Sequence, residues 1–336
     1  MGPSYLKGTT MPLAKKIDLI SLGNTIVDME YQVNESTLTD LGIKKGSMTL
    51  IDQETRDQLR SLLGDTVHLC NGGSVANSVF VAKQFGLTVH HLGVVGTDSL
   101  SRFVFDDYKA CGIHESFHQT QVDGQTACCT VLITPDGERT MLTYLGVSNQ
   151  FASAEPFLSL LSDAKILFIE GYLLADDHCF ELIKTMILFA KNHGTKVAFS
   201  LSNADLISFF KDRFNALINM KLDFLFGNFQ EATTLAESKK IENIQSFFSS
   251  LTKETIITDG ANGAYIIDSN DVTHCPTIPT TPVDTTGAGD AFAGTYLAKK
   301  LHQCSIESSA KKANEISSLV VSNFGARPQA LLNNSL

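Results

Sequence analysis

A regular alternation of short apolar runs and longer helical segments limits the folds open to this chain more than any other feature. Ile17–Leu22 reads as a buried strand ending at Gly23. Residues 74–85 read as a helix with Ser74 as N-cap and Gly86 just past its end. A strand over 90–95 and a helix over Ser99–Cys111, stopped by Gly112, follow. Further on, strands at 166–169, 196–201 and 224–226 alternate with helices over Asp177–Asn192, closed by Gly194, and over 206–220. Strands at 255–258 and 264–267, then helices Ala288–Leu301 and 307–322, complete the pattern. Strands separated by helices of about 10–15 residues are βαβ units, which build a mostly parallel sheet. The expected class is α/β, with three α/β/α layers.

Three segments break the pattern. Residues 29–33, 47–51 and 117–145 carry strand-type residues and turn signals such as Asp123-Gly124 and Pro135-Asp136-Gly137. They predict antiparallel strands and a hairpin, forming a small β-sheet lid inserted into the main domain. The expected lid segments are about 25–33, 46–52 and 115–146, within one domain over 17–328. Residues 1–16 are expected to be an extension, with Met1–Thr10 read as an expression remnant ahead of Met11. That extension lacks the apolar core of a signal peptide, and no apolar stretch reaches the ~18 residues of a membrane span. A cytoplasmic protein is expected, with no membrane partner.

Composition removes other classes. With 18% charged and 43% apolar residues, the chain is neither disordered nor fibrous. Its net charge of −10, with no basic run, makes it a poor partner for nucleic acid. A bound phosphate must therefore be held locally, by backbone dipoles, a few cations or a metal. The seven cysteines include no C-x-x-C, and the nine histidines show no zinc spacing. The cysteines read as buried thiols in a reducing compartment.

The segment richest in chemistry is Asp284-Thr285-Thr286-Gly287-Ala288-Gly289-Asp290-Ala291-Phe292. Small residues let the backbone fold tightly at the start of an apolar helix. The N-terminus of that helix carries roughly half a positive charge. The string reads as an anion hole at Gly287, Ala288 and Gly289, with Asp290 placed to take the proton of an attacking hydroxyl. The bland alternative is a glycine-rich turn with Asp290 as a cap.

At this string the chain resembles the ribokinase-like (PfkB) carbohydrate kinase family, whose D-T-x-G-A-G-D signature stands intact at 284–290. Further family features follow in order: Asn24 and Asp28 after the first strand, Gly72-Gly73 with Asn77, and Gly93-Val94-Val95-Gly96-Thr97-Asp98. Asn228-Phe229-Gln230-Glu231 matches N-x-x-E, and Thr258-Asp259-Gly260-Ala261-Asn262-Gly263 matches T-x-G-x-x-G. The segments 46–52, 137–141, Glu170-Gly171-Tyr172 and Gly325-Ala326-Arg327-Pro328 look like the adenosine-kinase-like branch.

The resemblance implies an ATP-dependent kinase of a nucleoside or sugar. It implies Asp290 as base, acceptor contacts from Asn24, Asp28, Gly72, Gly73, Asn77 and Arg139, and nucleotide contacts from Asn228, Thr258, Gly260, Gly263, Thr286 and Asn314. It implies magnesium held through water by Glu231 and Asn228. It also implies a monovalent cation, potassium, near Asp284, Thr286, Asn323 and Ala326. The chain departs from the pattern at Asn203, where Asp is expected. Asp98 reads as structural. A monomer and a homodimer are both compatible with such a lid.

Two rival functions remain at this point. A nicotinamide oxidoreductase would need G-x-G-x-x-G after the first strand, where Gly23-Asn24-Thr25 stands instead. A non-catalytic nucleotide-binding protein on a kinase fold is opposed by the intact Gly287–Asp290 string. A P-loop kinase is excluded, because G-x-x-x-x-G-K-[ST] is absent.

Overall fold

The structure, a computed structural model, describes residues 15–64, 68–116, 120–268 and 271–328. Most of the expected N-terminal extension, with Met1–Thr10, lies outside these residues. Its strands, in chain order, are β1 Ile17–Leu22, β2 Ile26–Gln32, β3 Met48–Leu50, β4 His68–Gly72, β5 Val89–Leu92, β6 His114–Glu115 and β7 Ala127–Ile133. They continue with β8 Arg139–Tyr144, β9 Ala164–Glu170, β10 Lys196–Ser200, β11 Leu222–Asn228, β12 Thr252–Thr258, β13 Ala264–Asp268 and β14 Val272–Cys275. The helices used below are α1 Ser74–Gln84, α2 Ser99–Cys111, α3 Phe229–Ala236, α4 Ala288–Leu301 and α5 Ile306–Val321.

Nine strands form the main sheet in the order β14-β13-β12-β11-β10-β9-β1-β5-β6. The pairs from β12 through β6 are parallel, and the two β13 pairs are antiparallel. Short turns connect β12, β13 and β14, which permits antiparallel pairing, whereas parallel neighbours need a crossover. Both faces of the parallel part are covered, which explains the unbroken apolar runs. In β9, Ile166 and Phe168 pack on the face covered by α1 and α4, while Leu167 and Ile169 pack on the opposite face. Each such side chain contributes about 1.5–3 kcal/mol by leaving water.

The second sheet runs β3-β8-β7-β2-β4. The expected hairpin is β7–β8, but β2–β7 and β3–β8 are parallel, so the lid is mixed rather than antiparallel. Strand β4, with the weak strand sequence His-Leu-Cys-Asn-Gly, was not legible in the sequence. Residue 115, the start of the expected third lid segment, lies in β6 and pairs with β5 of the main sheet. Residues 117–119 of that segment lie outside the described residues.

The outer lid face, with Val27, Met29, Tyr31, Leu132 and Leu142, packs with Leu38 and Leu59 from helices Glu35–Asp40 and Gln53–Leu63. Strand register puts Leu50, Thr143, Cys129, Asp28 and Cys70 in one row on the other face.

Three local expectations change. Gly73, not Ser74, is the N-cap of α1. The expected 206–220 helix is two, Ala204–Phe209 and Lys211–Ile218, because Phe210 leaves helical angles at φ −119°, ψ 32°. The strand at 90–95 stops at Leu92, and the chain continues toward the lid. Asp98 is structural, as expected: it caps α2 through Ser101 N and accepts from Thr126.

Candidate active site

The 284–290 string joins the loop after β14 of the main sheet to the start of α4. Gly287 is the N-cap of α4 with φ +77°, a region open to glycine. A Cβ there would also collide with Ala326. The first N–H groups of a helix have no partner inside it. Ala288 N donates to Thr285 O at 3.2 Å, so Ala288 serves the turn, and the open donors of this helix start are those of Gly289 and Asp290. A Cβ on Gly289 would meet nothing within 4 Å. Gly289 lines both neighbouring cavities, so its missing side chain leaves room rather than relieving strain.

Asp290, in the first turn of α4, is gripped from α1. Ser74 Oγ donates to its Oδ1 at 2.7 Å, and Asn77 Nδ2 to its Oδ2 at 3.0 Å. Burial raises its carboxyl to about 6, against the pull of these two donors and of the Arg327 charge.

The residues expected to contact the acceptor are tied to the same region through Glu170 and Asn77. Asn24 is buried and its Nδ2 donates to Glu170 Oε1 at 2.7 Å. The amide orientation is forced, because a carboxylate only accepts. Asn24 Oδ1 is thus the end left for a ligand. A Cβ on Gly72 would stand 2.8 Å from Asp28 Oδ2, and one on Gly73, at φ +93°, would strike Asn24 O. The two glycines therefore let the end of β4 and the start of α1 pass close to the Asp28 carboxyl and the Asn24 backbone carbonyl. Burial raises Asp28 to about 7, opposed chiefly by Arg139. Glu170, at the end of β9, is likewise raised to about 7 by burial.

These shifts predict a pH dependence. A raised carboxyl is neutral on the acid side and ionised above its pKa. The acceptor KM should rise as pH falls through about 7, following Asp28. Turnover should fall below about 6, following Asp290. Measuring kcat and KM between pH 5 and 8 checks both, and a KM that is flat across pH 7 would contradict the Asp28 role.

Arg139 lies on β8 and is buried. It pairs with Glu30 at 2.7 Å and with Asp284 at 3.5 Å. Asp284 in turn accepts from Thr286 N at 2.9 Å and Gly325 N at 2.8 Å. Arg139 therefore ties the lid to the loop preceding the helix start, rather than reaching freely over the cleft. The same contacts bring Asp284 and Thr286 beside Ala326. Asn323, one turn away, spends its amide on Leu319 O at 2.7 Å and Ser322 Oγ at 3.2 Å.

On the other side of Asp290 is a polar cavity of about 140 Å³, lined by Ser74, Ser202, Asn228, Glu231, Thr258 and Asp290 among others. Asn228 and Glu231 form a capping box on α3: Glu231 Oε2 accepts from Asn228 N at 2.9 Å, and Asn228 Oδ1 from Glu231 N at 2.8 Å. Burial raises Glu231 to about 7. No group of three or more His, Cys, Asp or Glu among the described residues is arranged to hold a metal ion by itself. A cavity whose polar side holds the Glu231 and Asp290 carboxyls with several hydroxyl and amide groups fits a hard cation that keeps most of its waters. The expected Asp at Asn203 is not missed structurally, because Asn203 caps the 204–209 helix through Leu206 N at 2.9 Å.

Beyond Gly289 a groove of about 570 Å³ is lined by Thr258, Gly260, Gly263, Ile278, Asn314 and Ser318 among others. Asn314 Nδ2 donates to the carbonyls of Cys275 and Pro276, each at 3.1 Å, which holds the β14 exit against α5. Thr286 does not line this groove, although Thr285, Ala288 and Gly289 of the same string do.

Three residues at the site had no role assigned from the sequence. Ser74 was read as a cap. Glu170 and Arg327 stood only within strings similar to one branch. The one signal in the sequence was chemical: Glu170 directly follows the apolar run 166–169, and such a charge needs a partner.

A helix start with open N–H donors beside a gripped carboxylate suits a phosphotransferase to an alcohol group. The chain belongs to the pfkB family of carbohydrate kinases, whose model matches residues 41–332. Its members act with ATP on sugars or nucleosides. Adenosine kinase 2 of Arabidopsis thaliana is 27% identical over 332 residues, covering 91% of this chain and 94% of that protein. The crystal structure of a probable sugar kinase protein from Rhizobium etli superposes with a TM-score of 0.85 at 29% identity, over 94% of this chain and 96% of that one. Adenosine kinase from Sinorhizobium meliloti gives 0.84 at 28%, over 93% and 96%. No helix among the described residues is long and apolar enough to cross a membrane.

Proposed function

We propose that this chain, as a single kinase domain over 17–328, phosphorylates the 5′-hydroxyl of adenosine or a related nucleoside. The observation that carries this reading is the lid face opposite its buried apolar side. Met48 and Leu50, on edge strand β3, are 42% and 60% exposed although apolar. Leu50 shares its register row with Thr143, Cys129 and Asp28, and Met48 pairs with Met141. Cys129 and Thr143 of that row are buried, and strands lie about 4.8 Å apart, so its exposed apolar end at Leu50 stands roughly 14 Å from Asp28. A free pentose held at Asp28 would leave it in water, whereas a flat heterocycle on that sugar would cover it. The similarity to adenosine kinases supports the same reading.

In this scheme Asp28 accepts from the ribose hydroxyls, Asn24 Oδ1 takes another, and Gly72 and Gly73 allow the sugar near the backbone. Asp290 takes the proton of the attacking hydroxyl as its bond to phosphorus forms. The N–H groups at the start of α4 bear the charge that develops on the migrating group. The donor's nucleoside lies in the groove over Gly260, Gly263 and Asn314, with Thr258 and Asn228 toward its phosphates. Glu231 and Asn228 would hold magnesium through water in the cavity beside Asp290; such an ion supplies neutralisation of phosphate charge. The loops at 284–286 and 323–326 would hold potassium.

An assay coupled to ADP release, run over nucleosides and free sugars with magnesium, with and without potassium, tests this reading. We expect kcat/KM for adenosine to exceed that for ribose at least a hundredfold, and faster turnover of ribose would overturn the nucleoside assignment. ATP and nucleoside binding without turnover would favour a non-catalytic protein. Asp28→Ala provides a second test. Losing a charged acceptor to a buried hydroxyl costs about 1.5–3 kcal/mol, so the acceptor KM should rise roughly tenfold to a hundredfold with the ATP KM little changed. Equal effects on both would count against the clamp.

A further inference from the structure

We infer that Arg327 is a positioning residue for phosphoryl transfer: by fixing the Asn77 amide and lending its charge, it holds Asp290 in place as an ionised base. The proposal rests on Asp290 being that base.

The geometry is a chain of directed bonds. Arg327 Nε donates to Asn77 Oδ1 at 2.8 Å, and Asn77 Nδ2 donates to Asp290 Oδ2 at 3.0 Å. An amide has one accepting end and one donating end, a guanidinium only donates, and an ionised carboxylate only accepts. With Arg327 on one side, the Asn77 amide cannot turn over without meeting a second donor. Its N–H is thus committed to Asp290. Without Arg327, either orientation of the amide is open, and one of them sets a carbonyl oxygen against the carboxylate.

Arg327 is itself held firmly. It is buried, and its guanidinium stacks 5.1 Å from the Phe80 ring and 5.8 Å from the Tyr108 ring. Its Nη1 lies 3.4 Å from Asp107 Oδ2 on α2, which also accepts from Asn71 Nδ2 of lid strand β4 at 2.6 Å. A buried cation placed this way does more than tie the C-terminal segment to α1 and α2. It also lowers the cost of ionising Asp290 in the cleft. The other groups facing Asp290 are Ser74 and Asn77 from α1, Glu170 from β9, Tyr172 after it, and Glu231 from α3. The two carboxylates among them disfavour its ionisation, and Arg327 is the cation that offsets them.

The test is the pH profile of kcat for Arg327→Gln and Arg327→Lys in the full chain, with melting curves to confirm folding. Arg327→Gln removes the charge and should move the acidic limb up by about one pH unit. That lowers kcat at pH 6 roughly fivefold and leaves the level above pH 8 much nearer the parent. Arg327→Lys keeps a cation and should bring the limb back toward the parent position. If Arg327→Gln does not fold, Arg327→Met, which keeps an apolar stem against Phe80 and Tyr108, takes its place. A folded neutral variant whose limb stays where it was overturns the inference and leaves Arg327 as a staple. Asp290→Asn in the same assay separates the two readings: parental turnover there removes the base itself, whereas loss there with an unmoved Arg327 limb removes only the role of Arg327.

Discussion

Asp290→Asn should lose about 10²–10⁴-fold in turnover while still binding acceptor and ATP. An alcohol has a pKa of roughly 16, far above any carboxyl, so Asp290 cannot deprotonate it beforehand. It accepts the proton only as the phosphoryl group arrives, when the hydroxyl becomes acidic. The amide has the size of the carboxyl but cannot take a proton at neutral pH. The fold should tolerate the change, because ionising a carboxyl raised to about 6 costs stability at neutral pH and the amide has no charge to bury. Steady-state turnover, acceptor affinity by calorimetry and a melting curve together check this. A folded variant working at the parental rate would remove Asp290 from the chemistry.

Gly289→Val should abolish transfer although no charged group changes. The backbone at Gly289 is not in the left-handed region, and an added Cβ would touch no neighbour within 4 Å. Folding therefore has no objection to a side chain there. The objection is functional: the side chain would fill the space between the small polar cavity and the groove beyond it, where the proposed scheme seats the migrating phosphoryl group between Asp290 and the helix start. One such donor is worth about 2.7–4 kcal/mol, or 10²–10³-fold in kcat, and blocking its access loses at least that. Acceptor affinity should survive, because Asn24, Asp28, Gly72, Gly73 and Asn77 lie on the other side. Parental transfer by the folded variant would mean that the phosphoryl group is held elsewhere. At Gly287 the same substitution would disturb the fold itself, since φ is +77° and Ala326 stands in the way. The two glycines of one string are thus needed for different reasons.

The parallel sheet and its helices were legible because each apolar run and each cap signal is local. Helices Asp177–Asn192, Ala288–Leu301 and Ser99–Cys111 have the bounds their periodicity and closing residues imply. Gly112 takes the left-handed angle its position after α2 demands. Where the local signal was weak, the reading failed. Strand β4 holds its place because β2 pairs with it from Ile26 to Glu30, not because His-Leu-Cys-Asn-Gly favours a strand. The parallel lid pairs depend likewise on partners far along the chain.

The same division runs through the site. A helix beginning at 287–290 with small residues and a carboxylate is readable from the chain alone, since close backbone approach and a helix dipole depend only on neighbours in the chain. The candidate polar groups at Asn24, Asp28, Asn77, Asn228 and Glu231 are readable there too. How those groups are spent follows from contacts between distant segments. Ser74 and Arg327 reach Asp290, directly or through Asn77, across 216 and 250 residues of sequence separation for the two bonds concerned. Glu170 turns the Asn24 amide from 146 residues away, and Arg139 engages the Asp284 loop instead of waiting over the cleft. Hydrogen-bond direction and the ionisation of buried carboxyls are set by whatever atoms packing brings within 3 Å or so, and packing joins segments that share no local pattern.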